Sequence, residues 1–219
     1  LVGSFAWKED TMRLAIVVLG LVAAAMAGDR GEITPPRLLT AEMESAPLDV
    51  RSGGIAAYDV RIDEKGAVAG AEMVQDVAPY GDQLRESLWS WHFEPALEDG
   101  RPVASRVLVL GFFRPPMLNF PAPENPRYKT TRAPAEIPWP TSVAPPPYPP
   151  NALGNGVVVL EVDVSAGGEV TATRTVSSPT PFDAAATDAA RQWRFRPAQR
   201  EGRDAAARIF MVFSFVATT

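Results

Sequence analysis

Trp91-His92-Phe93-Glu94-Pro95-Ala96 returns 102 residues later as Trp193-Arg194-Phe195-Arg196-Pro197-Ala198. The same offset joins Gly54 to Gly156, Val60 to Val162, Gly66 to Gly168, Val68 to Val170, Val74 to Val176, Gly100 to Gly202, Arg106 to Arg208 and Phe113 to Phe215, without a gap. Glycine, tryptophan and proline held in one register over that length mark two copies of one small unit.

The second copy is the clearer text. Val157 to Val164 reads as a strand, with Leu160, Val162 and Val164 alternating against Glu161 and Asp163. Ser165-Ala166-Gly167-Gly168 reads as a hairpin turn, because glycine admits positive φ, and Val170 to Val176 as the returning β-branched strand. A helix then begins near Phe182-Asp183, where the Asp183 carboxylate can accept orphan N–H groups. Phe182, Ala186, Ala189, Ala190 and Trp193 form its apolar stripe. Pro197 ends it, and Ala205 to Phe215 is the last strand. The first copy repeats the plan. Its strands are Tyr58–Ile62, Val68–Val74 and Arg106–Phe113, and its helix starts near Tyr80 with Leu84, Leu88 and Trp91 on one side. The expected fold is α+β: two tandem β-β-α-β units, each a three-stranded antiparallel sheet carrying one helix. Trp91, Trp193 and Phe195 are expected core anchors, whereas Trp89 lies off the stripe.

Residues 1–11 read as an over-extended N-terminus, and 12–27 as a signal peptide. The signal has Met12-Arg13, an apolar run from Leu14, and an Ala25-Met26-Ala27 cleavage site. Residues 28–49 read as a lead-in, 50–116 as the first unit, 117–147 as a proline-rich linker and 148–219 as the second unit. The apolar run is shorter than the ~20 residues that cross a bilayer. Proline lacks an amide donor, so the linker is expected to run extended and outside any sheet interior.

Composition narrows the function. A net charge of −5 lacks the basic footprint of a nucleic-acid binder. With no cysteine there is no thiolate nucleophile, thiolate metal site or disulfide framework. His92 is the single histidine, and no G-x-S-x-G accompanies it. Asp59, Asp63, Glu161 and Asp163 read as water-facing, solubilising carboxylates. No enzyme chemistry, metal or cofactor is expected.

The second copy resembles the C-terminal domain of the TonB proteins. The resemblance rests on Pro147-Tyr148-Pro149-Pro150-Asn151-Ala152, Gly156-Val157-Val158-Val159, Val162-Asp163-Val164, Gly168-Glu169-Val170, Val176-Ser177-Ser178, Phe182-Asp183, Trp193-Arg194-Phe195-Arg196-Pro197-Ala198 and the aromatic strand Ile209 to Phe215. The first copy lacks the Tyr-Pro segment. The resemblance implies a periplasmic domain in a Gram-negative cell. It also implies a last strand that pairs with an extended peptide, the TonB box of an outer-membrane receptor, by strand addition. Carried onto this sequence, the peptide-binding positions are Arg208, Ile209, Phe210, Met211, Val212 and Phe213, with Tyr148 and Pro149 beside them. Three departures from an energy transducer stand out. The N-terminal apolar segment is short, no intramembrane histidine is present, and the proline-rich stretch lies between the units. The leading expectation is a secreted TonB-like binding module. One alternative is a structural or self-associating module whose edges pair with themselves. The other is an anchored transducer, if the N-terminal segment is retained. The location also permits peptidoglycan as a partner.

Overall fold

A computed structural model describes residues 33–43, 54–76, 80–113, 133–179 and 181–217. The signal-peptide assignment at 12–27 lies outside them. In chain order the first copy holds β1 (Ile33–Thr34), β2 (Arg37–Thr40), β3 (Gly54–Ile62), β4 (Val68–Gln75), α1 (Tyr80–Leu88), β5 (His92–Glu94), β6 (Ala96–Glu98), β7 (Arg101–Val103) and β8 (Ser105–Phe113). The second holds β9 (Trp139–Ser142), β10 (Gly156–Val164), β11 (Val170–Ser177), α2 (Phe182–Gln192), β12 (Arg194–Arg196), β13 (Ala198–Arg200), β14 (Arg203–Ala205) and β15 (Ala207–Phe215).

The long strands do not form two separate sheets. They form one six-stranded sheet in the order β11-β10-β15-β8-β3-β4. Every neighbouring pair is antiparallel except the central one, where β15 and β8 run parallel. That seam pairs Ile209 with Leu108, Met211 with Leu110 and Phe213 with Phe112. It is one residue out of step with the repeat, in which Ile209 corresponds to Val107. Side chains alternate along a strand, so a one-residue slip sends equivalent residues to opposite faces. The two helices therefore cover opposite faces of one sheet.

Two apolar cores result, and both copies contribute to each. On the α2 face, Phe182, Ala186, Ala190 and Trp193 join Val158, Leu160, Met211 and Phe213 of the second copy and Ile55, Leu108, Leu110 and Phe112 of the first. On the α1 face, Tyr80, Leu84, Leu88 and Trp91 join Tyr58, Val60, Val109 and Phe113 with Val159, Phe210 and Val212 of the second copy. The Phe112 ring lies 6.2 Å from Trp193 and 6.0 Å from Phe213, and Phe93 lies 5.2 Å from Phe210. A three-stranded sheet with one helix would leave one apolar face wet. Joining two such sheets edge to edge buries both.

Each hairpin turn is locked to the tryptophan segment. Gly66 and Gly168 have φ of 82° and 80°. Phe93 N–H donates to Gly66 O, and Phe195 N–H to Gly168 O, both at 2.9 Å. The helices begin at Tyr80 and Phe182, as expected, but the cap of α2 differs from expectation. Asp183 sits inside the first turn of α2, and the cap position is Pro181, which makes no side-chain capping bond. Its charge favours the helix N-terminus without serving as a cap. Trp89, off the stripe, is 57% exposed.

Residues upstream of each long-strand unit are part of the fold. β2 pairs with β5, and β9 pairs with β12, in the same register at the same 102-residue offset. The end of the proline-rich stretch is thus ordered against the tryptophan segment, with Ile137 and Trp139 buried. Pro140 is accommodated because β9 belongs to a two-stranded ribbon, where a missing donor can face outward. Trp193 Nε1 donates to Ala144 O at 2.9 Å, which ties this strap to the core.

Tyr58, fully buried, donates its hydroxyl to Gly81 O at 2.9 Å. Burial first, and the Asp76 charge second, push its pKa from 10.0 up to about 12. The folded chain holds this proton more tightly than the unfolded one. The contribution is complete below the unfolded pKa of 10.0 and is lost as pH rises through about 12. Denaturant midpoints measured from pH 9 to pH 12 should fall over that window, and Tyr58→Phe should flatten the fall.

Candidate functional site

The expected peptide-binding strand lies at the centre of the sheet. Ile209 to Phe213 are buried, and Arg208 is largely so. β15 has β10 on one side over its whole length, from Gly156↔Phe215 to Val164↔Ala207. On the other side β8 is seated from Ile209 to Ser214. The free edge expected along Arg208–Phe213 is therefore taken by the chain's own first copy. The reason is apolar area: an open β15 would leave Phe112, Phe113, Phe210 and Phe213 without their shared cores. Among the described residues, the sheet's outer strands are β4 and β11.

Tyr148 and Pro149 sit at the C-terminal end of this strand. Tyr148 donates to Gly154 O at 2.6 Å. Its ring packs edge-on to Phe182 at 5.6 Å, and Phe182 contacts Phe215 at 4.9 Å. With Pro147, Asn151, Pro181 and Asp183, the pair lines a shallow depression of about 500 Å³ against the start of α2. A larger cleft, about 1280 Å³, opens at the opposite end of the seam, where β8 and β15 begin. The β6–β7 and β13–β14 hairpins flank it.

Two carboxylates of the long strands are not part of a solvated fringe. Asp59 is 3% exposed and Glu161 6%, which corrects the expectation that both face water. They occupy equivalent repeat positions, and each meets the equivalent arginine. Arg106 bonds both carboxylate oxygens of Asp59. Arg208 reaches Glu161 at 3.2 Å and both oxygens of Asp163 at 2.7 and 3.1 Å. Burial alone would pull the Arg208 guanidinium down. The hydrogen bonds and charge of Asp163, then the charge of Glu161, outweigh it and leave its pKa raised. Arg106 is raised as well, first by its bond to Asp59.

The second-copy cluster also holds the first copy's strap. Leu38 N–H donates to Glu161 Oε2 at 3.2 Å, while Arg174 Nη2 donates to Leu38 O at 2.9 Å and bonds Glu161. Sequence reading missed the strap because β2 and β9 share no residue identity; Pro36 and Pro138 just upstream were the available signal. His92 stays exposed, its Nδ1 2.9 Å from Ser90 O. Among the described residues no cluster could hold a metal ion. No helix among them is long and apolar enough to cross a membrane.

Residues 144–216 match the family described as Gram-negative bacterial TonB protein C-terminal. They form a TonB C-terminal domain. Within it fall β10, β11, α2, β12 to β15 and the Tyr148 segment. Curated relatives include Protein TonB from two strains of Xanthomonas campestris pv. campestris. Each is 42% identical over 76 residues, which is 32% of this chain and 34% of the relative. The chain thus spans about a third of the length of the curated relatives it matches. The first copy lies outside the TonB match, and it is this copy that closes the domain's last strand.

Proposed function

We propose that this chain is a TonB-like protein-binding module serving TonB-dependent transport on the periplasmic side. It grips an extended segment of an outer-membrane receptor, the TonB box, by adding it as a strand. The observation that carries this reading is the TonB C-terminal domain at residues 144–216. Strand addition suits a transient contact: four to six backbone bonds at roughly 0.5–1.5 kcal/mol each give a reversible grip. Addition along Arg208–Phe213, with Tyr148 and Pro149 alongside, belongs to a state in which β8 has left β15. Secretion through a signal peptide at 12–27 fits this role. Retention of that segment would make the chain an anchored transducer instead, and N-terminal sequencing of the mature protein separates the two.

A second reading is favoured by one observation, the parallel β8–β15 seam. In it the first copy is the standing partner of the second, and the chain is a self-paired scaffold. The ¹⁵N-labelled full chain titrated with a TonB-box peptide decides between the two. The binding reading expects saturable amide shifts. The absence of any shift at peptide excess leaves the scaffold. Pelleting with purified peptidoglycan tests that further partner, and bound protein in the pellet is the outcome that would establish it.

A further inference from the structure

We infer that, with β8 seated, the edge that receives an extended peptide is β11, over Ala172–Thr175. This rests on the strand-addition reading above and moves the contact two strands away from β15. Among the described residues the sheet has two outer strands, and the repeat makes them equivalent: Val68–Gln75 in the first copy and Val170–Ser177 in the second. They differ in what they offer a visiting strand. β4 carries Ala69, Gly70, Ala71 and Met73 where β11 carries Thr171, Ala172, Thr173 and Thr175. Arg61 also lies against Gly70, its guanidinium within 2.7 Å of where a Cβ would stand. Glycine and alanine give a visiting strand little to pack on, whereas β-branched residues suit cross-strand pairing.

β11 lacks the proline and the outward charge that protect many edges, and keeps two milder devices, an inward-turned arginine and an irregular register at each end. It contains no proline or lysine. Its one charge, Arg174, is turned inward to Glu161 and Leu38 O. No residue of the strand is fully buried, and Thr171, Ala172, Thr175 and Ser177 are exposed. An outer strand leaves a row of backbone donors and acceptors available for pairing. The ladder to β10 is regular from Leu160↔Thr175 to Asp163↔Ala172 and irregular on both sides of that stretch. Irregularities bend a strand and interrupt its template. The usable edge is therefore short. It is too small for the roughly 800 Å² per partner of a stable dimer interface, and it fits a short peptide bound transiently.

The test is amide hydrogen exchange on the full ¹⁵N-labelled chain, with and without an excess of TonB-box peptide. Outward-facing amides within Val170–Ser177 should slow by about tenfold, while those of β4 and β15 keep their rates. Thr171→Lys with Thr175→Lys should weaken binding by about fivefold, because edge lysines oppose strand addition. The repeat-equivalent pair, Ala69→Lys with Met73→Lys, should leave it unchanged. Protection gained along Arg208–Phe213, with Val107–Phe113 losing theirs, would overturn this inference and leave the strand-addition reading standing. Protection along Val68–Gln75 would do the same. Concentration-dependent protection of β11 without peptide would assign the edge to a second copy and overturn it. No binding at all would remove both readings.

Discussion

Gly168→Ala is expected to destabilise the chain by roughly 3–5 kcal/mol, among the largest effects a single methyl can have. Two costs add at this position. The φ of 80° is strained for any residue with a Cβ. That Cβ would also stand 1.9 Å from Phe195 O and 3.0 Å from its carbonyl carbon. The obstacle is backbone, held by the Phe195 N–H bond to Gly168 O, so no side-chain rotation relieves it. Relief requires the hairpin to move away from the tryptophan segment, which breaks that bond and lifts Phe195 from the core. Gly202→Ala is the control. Gly202 has φ of 73°, and a Cβ there would meet nothing within 4 Å. It should lose about 1–2 kcal/mol, the conformational part alone. Denaturant midpoints of the two variants measure the difference, and equal losses would refute the backbone contact. Gly66→Ala should behave like Gly168→Ala, since its Cβ would meet Phe93 O at 1.8 Å.

Trp193→Ala should cost about 3–5 kcal/mol and unfold both copies together. Trp193 is fully buried, packs on Phe112, Phe195 and Phe213, and gives its indole proton to Ala144 O. Phe112 belongs to the first copy, so the cavity opens in a core that both copies share. Amide spectra of the first copy should lose dispersion at the same denaturant concentration as those of the second. A first copy that stays folded would refute the shared core. A milder pair refines the point. Trp91 is the repeat equivalent, yet its buried Nε1 has no hydrogen-bond partner among the described residues. Trp193→Phe should therefore cost about 1 kcal/mol more than Trp91→Phe, the net worth of one buried hydrogen bond.

The long elements were legible because local rules govern them. Alternation of Leu160, Val162 and Val164 marks a strand. The spacing of Phe182, Ala186, Ala189 and Ala190 marks a helix, and all four are buried. The straps were not legible. Arg37-Leu38-Leu39-Thr40 and Trp139-Pro140-Thr141-Ser142 have no shared periodicity, and their order comes from pairing with β5 and β12. Asp59 and Glu161 looked like solvated charges because alternation shows only that a residue leaves one face. It cannot show that a second copy covers the other.

The residues alone settled that one plan is written twice, and that the later version is a TonB C-terminal domain. Turn glycines, helix stripes and β-branched runs are short-range features, readable within a dozen positions. What covers the far border of β15 is a long-range matter. Many strands could have filled that place, and the choice of β8, slipped by one residue from the repeat, follows from burying both faces of a shared sheet at once. That slip puts the helices on opposite sides, while the β8–β15 pairing closes the border expected to stay open and leaves β11 and β4 as the outer strands among the described residues.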